Sequence, residues 1–186
     1  MTARIALLGW GSLLWEGGEA FDDWHEPWQC DGGPSLKIEF SRVSSSRGGA
    51  LTLVIDPENG TAFSVAWCLS RRKSIGEAVN DLRKREQTTE PNIGRFGVTG
   101  ERGCRDTDSL NSIGTWAIER ELDGVVWTDL RSNFVENLGE PFSVDSALRY
   151  LNSLEGESRM KAVEYFRRAP SFVQTPLQQA FGTQAA

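Results

Sequence analysis

The apolar positions near the start of the chain form one unbroken run, Ile5-Ala6-Leu7-Leu8, which stops at Gly9-Trp10-Gly11-Ser12. A short run without alternation predicts a strand buried on both faces, and the glycines predict a sharp turn where peptide N–H groups can approach a ligand. A tight structural turn at the end of a core strand fits the same residues. Leu36 to Val43 alternates like a half-buried strand and Ala50 to Ile55 is continuously apolar. Asp56-Pro57-Glu58-Asn59-Gly60 then supplies turn chemistry before a third stretch, Phe63 to Leu69. Together they predict an antiparallel meander. Thr88 to Ser112 reads as irregular, and Ile113 to Arg120 with Val125 to Leu130 reads as two strands of a hairpin turning at Asp123-Gly124.

Helical periodicity begins at Ser74-Ile75-Gly76-Glu77, a capping-box sequence that predicts a helix from about Ile75 to Gln87. Its apolar stripe is Ile75, Ala78, Val79 and Leu82, and the next position on that stripe is Glu86, with Arg83, Lys84 and Arg85 read as pointing elsewhere. A carboxylate turned inward needs hydrogen bonds and tends toward a raised pKa suited to proton transfer. A frayed helix end with Glu86 in solvent fits the spacing equally. The last third is helical: Ser143 caps a segment with Val144, Ala147, Leu148, Leu151 and Leu154 on one face. A second segment runs from about Glu157 to Ala169, Thr175-Pro176 opens a short third, and Gln184-Ala185-Ala186 reads as a frayed end. Glu16 to Pro34, with Trp24, His25, Pro27 and Trp28, reads as an ordered loop whose aromatic rings either line a pocket mouth or cover the core.

Composition narrows the classes. With 186 residues, 39% hydrophobic and 25% charged, the chain is expected to form a single domain over 1–186 with a helical C-terminal elaboration from about 143. A net charge of −6 argues against a nucleic-acid surface, and Arg71-Arg72-Lys73 and Arg83-Lys84-Arg85 read as solvated helix faces. The opening residues show no leader pattern and no stretch reaches bilayer length, which predicts a cytoplasmic protein with no membrane partner. Cys30, Cys68 and Cys104 match neither a zinc pattern nor a disulfide framework, so they are expected to be reduced and mostly buried, and no metal site is expected. The G-W-G-S loop lacks the third glycine of a dinucleotide fingerprint and the lysine of a phosphate loop.

Four short pieces in one order carry a resemblance. Gly9-Trp10-Gly11-Ser12-Leu13-Leu14-Trp15 resembles the Y-G-S-L-I-W opening of the gamma-glutamylcyclotransferases, above all the ChaC-like, glutathione-specific branch. Ser44-Ser45-Ser46-Arg47-Gly48-Gly49 and the apolar stretch after it resemble that branch's S-x-x-H-R-G element. Phe63-Ser64-Val65-Ala66-Trp67 is similar to its G-V-A-Y strand, and Leu82-Arg83-Lys84-Arg85-Glu86 to the L-x-x-R-E segment bearing the catalytic glutamate. The likeness spans roughly Ile5 to Gln87 and does not extend to the last third. It implies an α+β fold, a mixed and mostly antiparallel β-barrel with helices around it.

It also implies a reaction, release of 5-oxoproline from a gamma-glutamyl compound, either glutathione or a gamma-glutamyl amine, without a cofactor. Glu86 is then the acid–base residue. Trp10, Gly11, Ser12, Leu13 and Arg47 are the substrate-binding residues, with the loop amides as donors to an oxyanion or carboxylate. Trp10 and Phe96 stand where the family has tyrosines. Two other readings stay open: a hydrolase using Ser12 or Cys30 with His25 as base, and a non-catalytic binding module of the same fold.

Overall fold

The computed structural model describes residues 3–16 and 18–184. In chain order the elements are β1 (Ile5–Gly9), α1 (Glu19–Asp22), β2 (Ser35–Ser44), β3 (Ala50–Ile55), β4 (Thr61–Ser64), β5 (Ala66–Leu69), α2 (Ile75–Arg85), β6 (Ile93–Gly97), β7 (Arg102–Gly103), α3 (Thr107–Glu119), β8 (Gly124–Thr128), α4 (Phe134–Leu138), α5 (Val144–Ser153), α6 (Gly156–Arg168) and α7 (Pro176–Gln184). The fold is mixed α+β, with two mostly antiparallel sheets. The chain packs into two compact units, the first from residues up to Leu36 and Ser64–Leu130, the second from Lys37–Phe63 and the residues from Arg131 onward.

The first unit carries a five-stranded sheet in the order β5-β1-β8-β6-β7. β1 is buried throughout because it is central, antiparallel to β5 and parallel to β8. Among the described residues β5 and β7 are the edges of this sheet. Ala78, Val79 and Leu82 of α2 pack against Ile5, Leu7 and Val126 of β1 and β8. Each of these larger side chains contributes about 1.5–3 kcal/mol by leaving water. Trp24 and Trp28 lie against the same core, so these rings cover it, and bridges from His25 to Ser70 and from Gln29 to Trp67 tie their loop down.

The second unit carries the sheet β3-β2-β4 and the four C-terminal helices. Its core is aromatic: Phe40 stacks on Phe166 at 4.0 Å, and Phe166 meets Phe181 at 4.6 Å. The Leu53 N–H donates to the Tyr165 hydroxyl (3.3 Å), and the Tyr150 hydroxyl donates to the Gly49 carbonyl (2.7 Å). Asn133, ahead of α4, pairs with both backbone groups of Val43, accepting at 2.7 Å and donating at 3.1 Å.

Several expectations change. The meander does not form: β4 joins β2 rather than β3, and the stretch Phe63 to Leu69 breaks at Val65, after which β5 pairs with β1. Val65 donates to the Pro34 carbonyl (3.1 Å) instead of continuing either ladder. Ile113 to Arg120 is not a strand but the second half of α3, whose cap, Asp106, accepts from the Ser109 N–H at 2.7 Å. Asp123-Gly124 is therefore no hairpin. It leads α3 into β8, with the Asp123 carboxylate accepting the Arg4 N–H at 2.7 Å. The irregular stretch contains β6, β7 and the start of α3. The capping boxes at Ser74 and Ser143 form, with Ser146 in the reciprocal position of the second. Of the expected frayed end, Gln184 closes α7, and Ala185 and Ala186 lie outside the described residues.

Candidate functional site

At the C-terminal end of β1, Gly9 is a steric requirement. A Cβ there would stand 2.8 Å from Leu14 Cδ2 and 3.1 Å from the Trp28 ring. The chain passes Trp10 and Gly11, both buried, and enters one turn of 3₁₀ helix over Ser12–Leu14, closed by the Leu14 N–H on the Gly11 carbonyl at 2.9 Å. Ser12 and Leu13 begin that turn, so their N–H groups have no partner inside it. Leu13 itself is anchored in the core.

The second component arrives on α2. Ser74 accepts the Glu77 N–H and the Glu77 carboxylate accepts the Ser74 N–H, each at 3.2 Å, which fixes where the helix starts. Three turns later Glu86 is the C-cap, its N–H on the Leu82 carbonyl at 2.9 Å. Its side chain is 17% exposed, so it is neither in open solvent nor fully enclosed. Arg85 joins the two components. Its Nη1 donates to Glu86 Oε1 at 2.9 Å, and its Nη2 donates to the Ser12 carbonyl at 3.1 Å and the Glu16 carbonyl at 2.8 Å. The end of α2 and the turn after β1 are thus held together by one guanidinium.

Arg85 was not anticipated as a site residue, and the expectation that it points away from the stripe is corrected. Its side chain is 11% exposed. Position 85 lies three residues after Leu82 and seven after Ala78, which places it along the edge of the apolar face. Its flanking cations in the sequence disguised it as part of a solvated run.

The other candidates sit in different surroundings. Arg47 belongs to the second unit, where its guanidinium lies 5.1 Å from the centre of the Tyr165 ring. Phe96 is buried on β6, and a Cβ on Gly114 of α3 would meet its ring at 2.8 Å, so this ring serves the packing of α3. His25 is buried between Phe21 and Trp28, ring centres 4.9 and 5.2 Å away, and its Nδ1–H donates to the Glu26 carbonyl at 2.6 Å. Nε2 faces Asp22 at 3.7 Å, and among the described residues the ring makes no hydrogen bond to Ser12 or Cys30. Only one cysteine is deeply buried: Cys68, whose thiol burial pushes up, whereas Cys104 is half-buried and pushed up to about 11, and Cys30 is exposed.

A separate shallow groove of about 190 Å³ lies on another face of α2, lined by Val79, Asn80, Arg83, Glu90 and Arg95, and includes none of the candidate residues. No helix among the described residues is long and apolar enough to cross a membrane. No family model, curated protein or solved structure matches the chain.

Proposed function

We propose that the chain is a gamma-glutamylcyclotransferase-like enzyme acting in the cytoplasm on a small gamma-glutamyl compound, with Glu86 as its acid–base residue. The observation that carries this reading is the Arg85 bridge. It places the Ser12 turn and the Glu86 carboxylate, the two ends of the resemblance, on one guanidinium. The mostly antiparallel five-stranded sheet with α2 across it supports the mixed α+β side of the reading; among the described residues the sheet is open, with β5 and β7 at its edges, and the barrel stays part of the proposal.

The chemistry is an internal aminolysis. The substrate's α-ammonium loses a proton to Glu86, and its nitrogen attacks the γ-carbonyl carbon, forming the ring bond and a tetrahedral oxyanion. N–H groups of the Gly11–Leu13 turn are the donors for that charge or for the α-carboxylate. Collapse breaks the original amide bond as Glu86 returns that proton to the departing nitrogen, and the second proton of the ring nitrogen passes by way of Glu86 to the released amine, which leaves as an ammonium. A folded substrate conformation supplies part of the rate by orientation.

Incubation of the protein with glutathione and a panel of gamma-glutamyl amines, with chromatographic detection of 5-oxoproline, tests this. Glu86→Gln keeps the shape but cannot take the proton, so release should fall by roughly 10²-fold or more with the fold retained. Full activity in Glu86→Gln would remove Glu86 from its role. The loss of two hydroxyls at Trp10 and Phe96, with Phe96 given over to packing, favours a second reading, a binding module of the same fold. Wild-type protein that binds a gamma-glutamyl compound in calorimetry but releases no 5-oxoproline from any of them would establish it.

A further inference from the structure

Arg85 is nearly buried and reaches three acceptors on two segments, the Glu86 carboxylate and the carbonyls of Ser12 and Glu16. We infer that Arg85 is a positioning residue that sets the distance and angle between Glu86 and the Ser12 peptide. The inference rests on the reaction proposed above.

Guanidinium is a planar fork, so a donor committed at Nη1 to Glu86 Oε1 fixes the direction in which Nη2 donates. Nη2 in turn holds the carbonyls of Ser12, where the turn begins, and of Glu16, two residues past its end. In a trans peptide the carbonyl and the following N–H point opposite ways. Drawing the Ser12 carbonyl toward Arg85 therefore aims the Leu13 N–H away from it. One side chain thus orients both the Glu86 carboxylate and the Ser12–Leu13 peptide. Lysine cannot replace it, because an ammonium is a single point of charge without a fixed fork.

Three variants separate the possibilities. In Arg85→Ala, kcat should fall by roughly 10²-fold, the cost typical of misplacing reacting groups by about an ångström, with KM carrying the smaller part of the change. Added guanidinium ion at sub-denaturing concentration should restore much of that loss in Arg85→Ala and none in Glu86→Gln. Arg85→Lys, which retains the charge, should stay impaired. Independently of turnover, hydrogen exchange in Arg85→Lys should quicken at residues 12–16 while β1 and β8 keep their protection.

Wild-type kcat in Arg85→Lys, or unchanged exchange at residues 12–16, overturns the positioning role even if the wild type is an active cyclotransferase. A wild type that releases no 5-oxoproline from any substrate overturns the reaction, and Arg85's part in it, whatever the exchange data report about the turn.

Discussion

Glu39 is a carboxylate with no place in the proposed chemistry and a large effect expected on stability. It lies at the irregular step of the β2–β3 ladder, essentially sealed from solvent, with Oε1 accepting from the Thr175 hydroxyl at 2.7 Å and the Phe40 N–H at 2.8 Å. Burial pushes its carboxyl up to about 7, with the charge of Asp56 adding and the two hydrogen bonds opposing. The folded chain therefore holds this proton more tightly than the unfolded chain, where the group titrates near 4.5. The stability it contributes is complete below about pH 4.5 and disappears as pH rises through about 7. Glu39→Gln keeps an acceptor for both donors and removes the charge. Urea unfolding at pH 5 and pH 8 should show the variant gaining on the wild type at the higher pH, by on the order of 2–3 kcal/mol. A difference between the two proteins that does not change with pH would show that Glu39 ionises freely in the fold.

Among the elements, α3 shows how far local signals carry. Its cap should be worth about 1 kcal/mol, so Asp106→Ala should lower the urea midpoint with no change in slope. Gly114 in the middle of the same helix reads as a helix breaker, yet Gly114→Ala should destabilise, because the new Cβ would stand 2.8 Å from the Phe96 ring. That requirement comes from β6, far away in sequence, and the sequence around Ile113 could not announce it. Gly124 is similar: a Cβ there would meet Ile75 Cδ1 at 2.5 Å, so packing against α2 explains a glycine that imitates a hairpin signal. The helices whose signals are local, α2, α5 and α7, were legible from Ser74, Ser143 and Thr175-Pro176. At the candidate site, Glu86 was legible because a charge interrupts an apolar stripe. Arg85 was not read as a site residue, since in apolar periodicity alone a cation clamped on two carbonyls is indistinguishable from half-buried Arg83 and exposed Lys84 beside it.

At the scale of the whole molecule, the division into units escaped the sequence because neither unit is one stretch of chain. The path leaves the first unit after Leu36, returns at Ser64 and leaves again after Leu130. No composition shift marks these crossings, and the first falls inside a single strand, β2. A chain ended after residue 130 keeps β2 and β3 but loses Tyr165, Phe166 and Phe181, which cover Phe40 and receive the Leu53 N–H. Limited proteolysis of that fragment should therefore cut first within residues 37–63, which resist cleavage in the full chain. Equal resistance in both would mean that the two strands hold without their helices. The same interleaving gives the protein a schedule during synthesis. The segment carrying Phe40 and Leu53 leaves the ribosome long before the helices that enclose it, and at about 5–20 residues per second it spends several seconds without its partners. In the cell this apolar hairpin is thus a stretch of the nascent chain that waits exposed for its partners, and early termination should send it toward degradation.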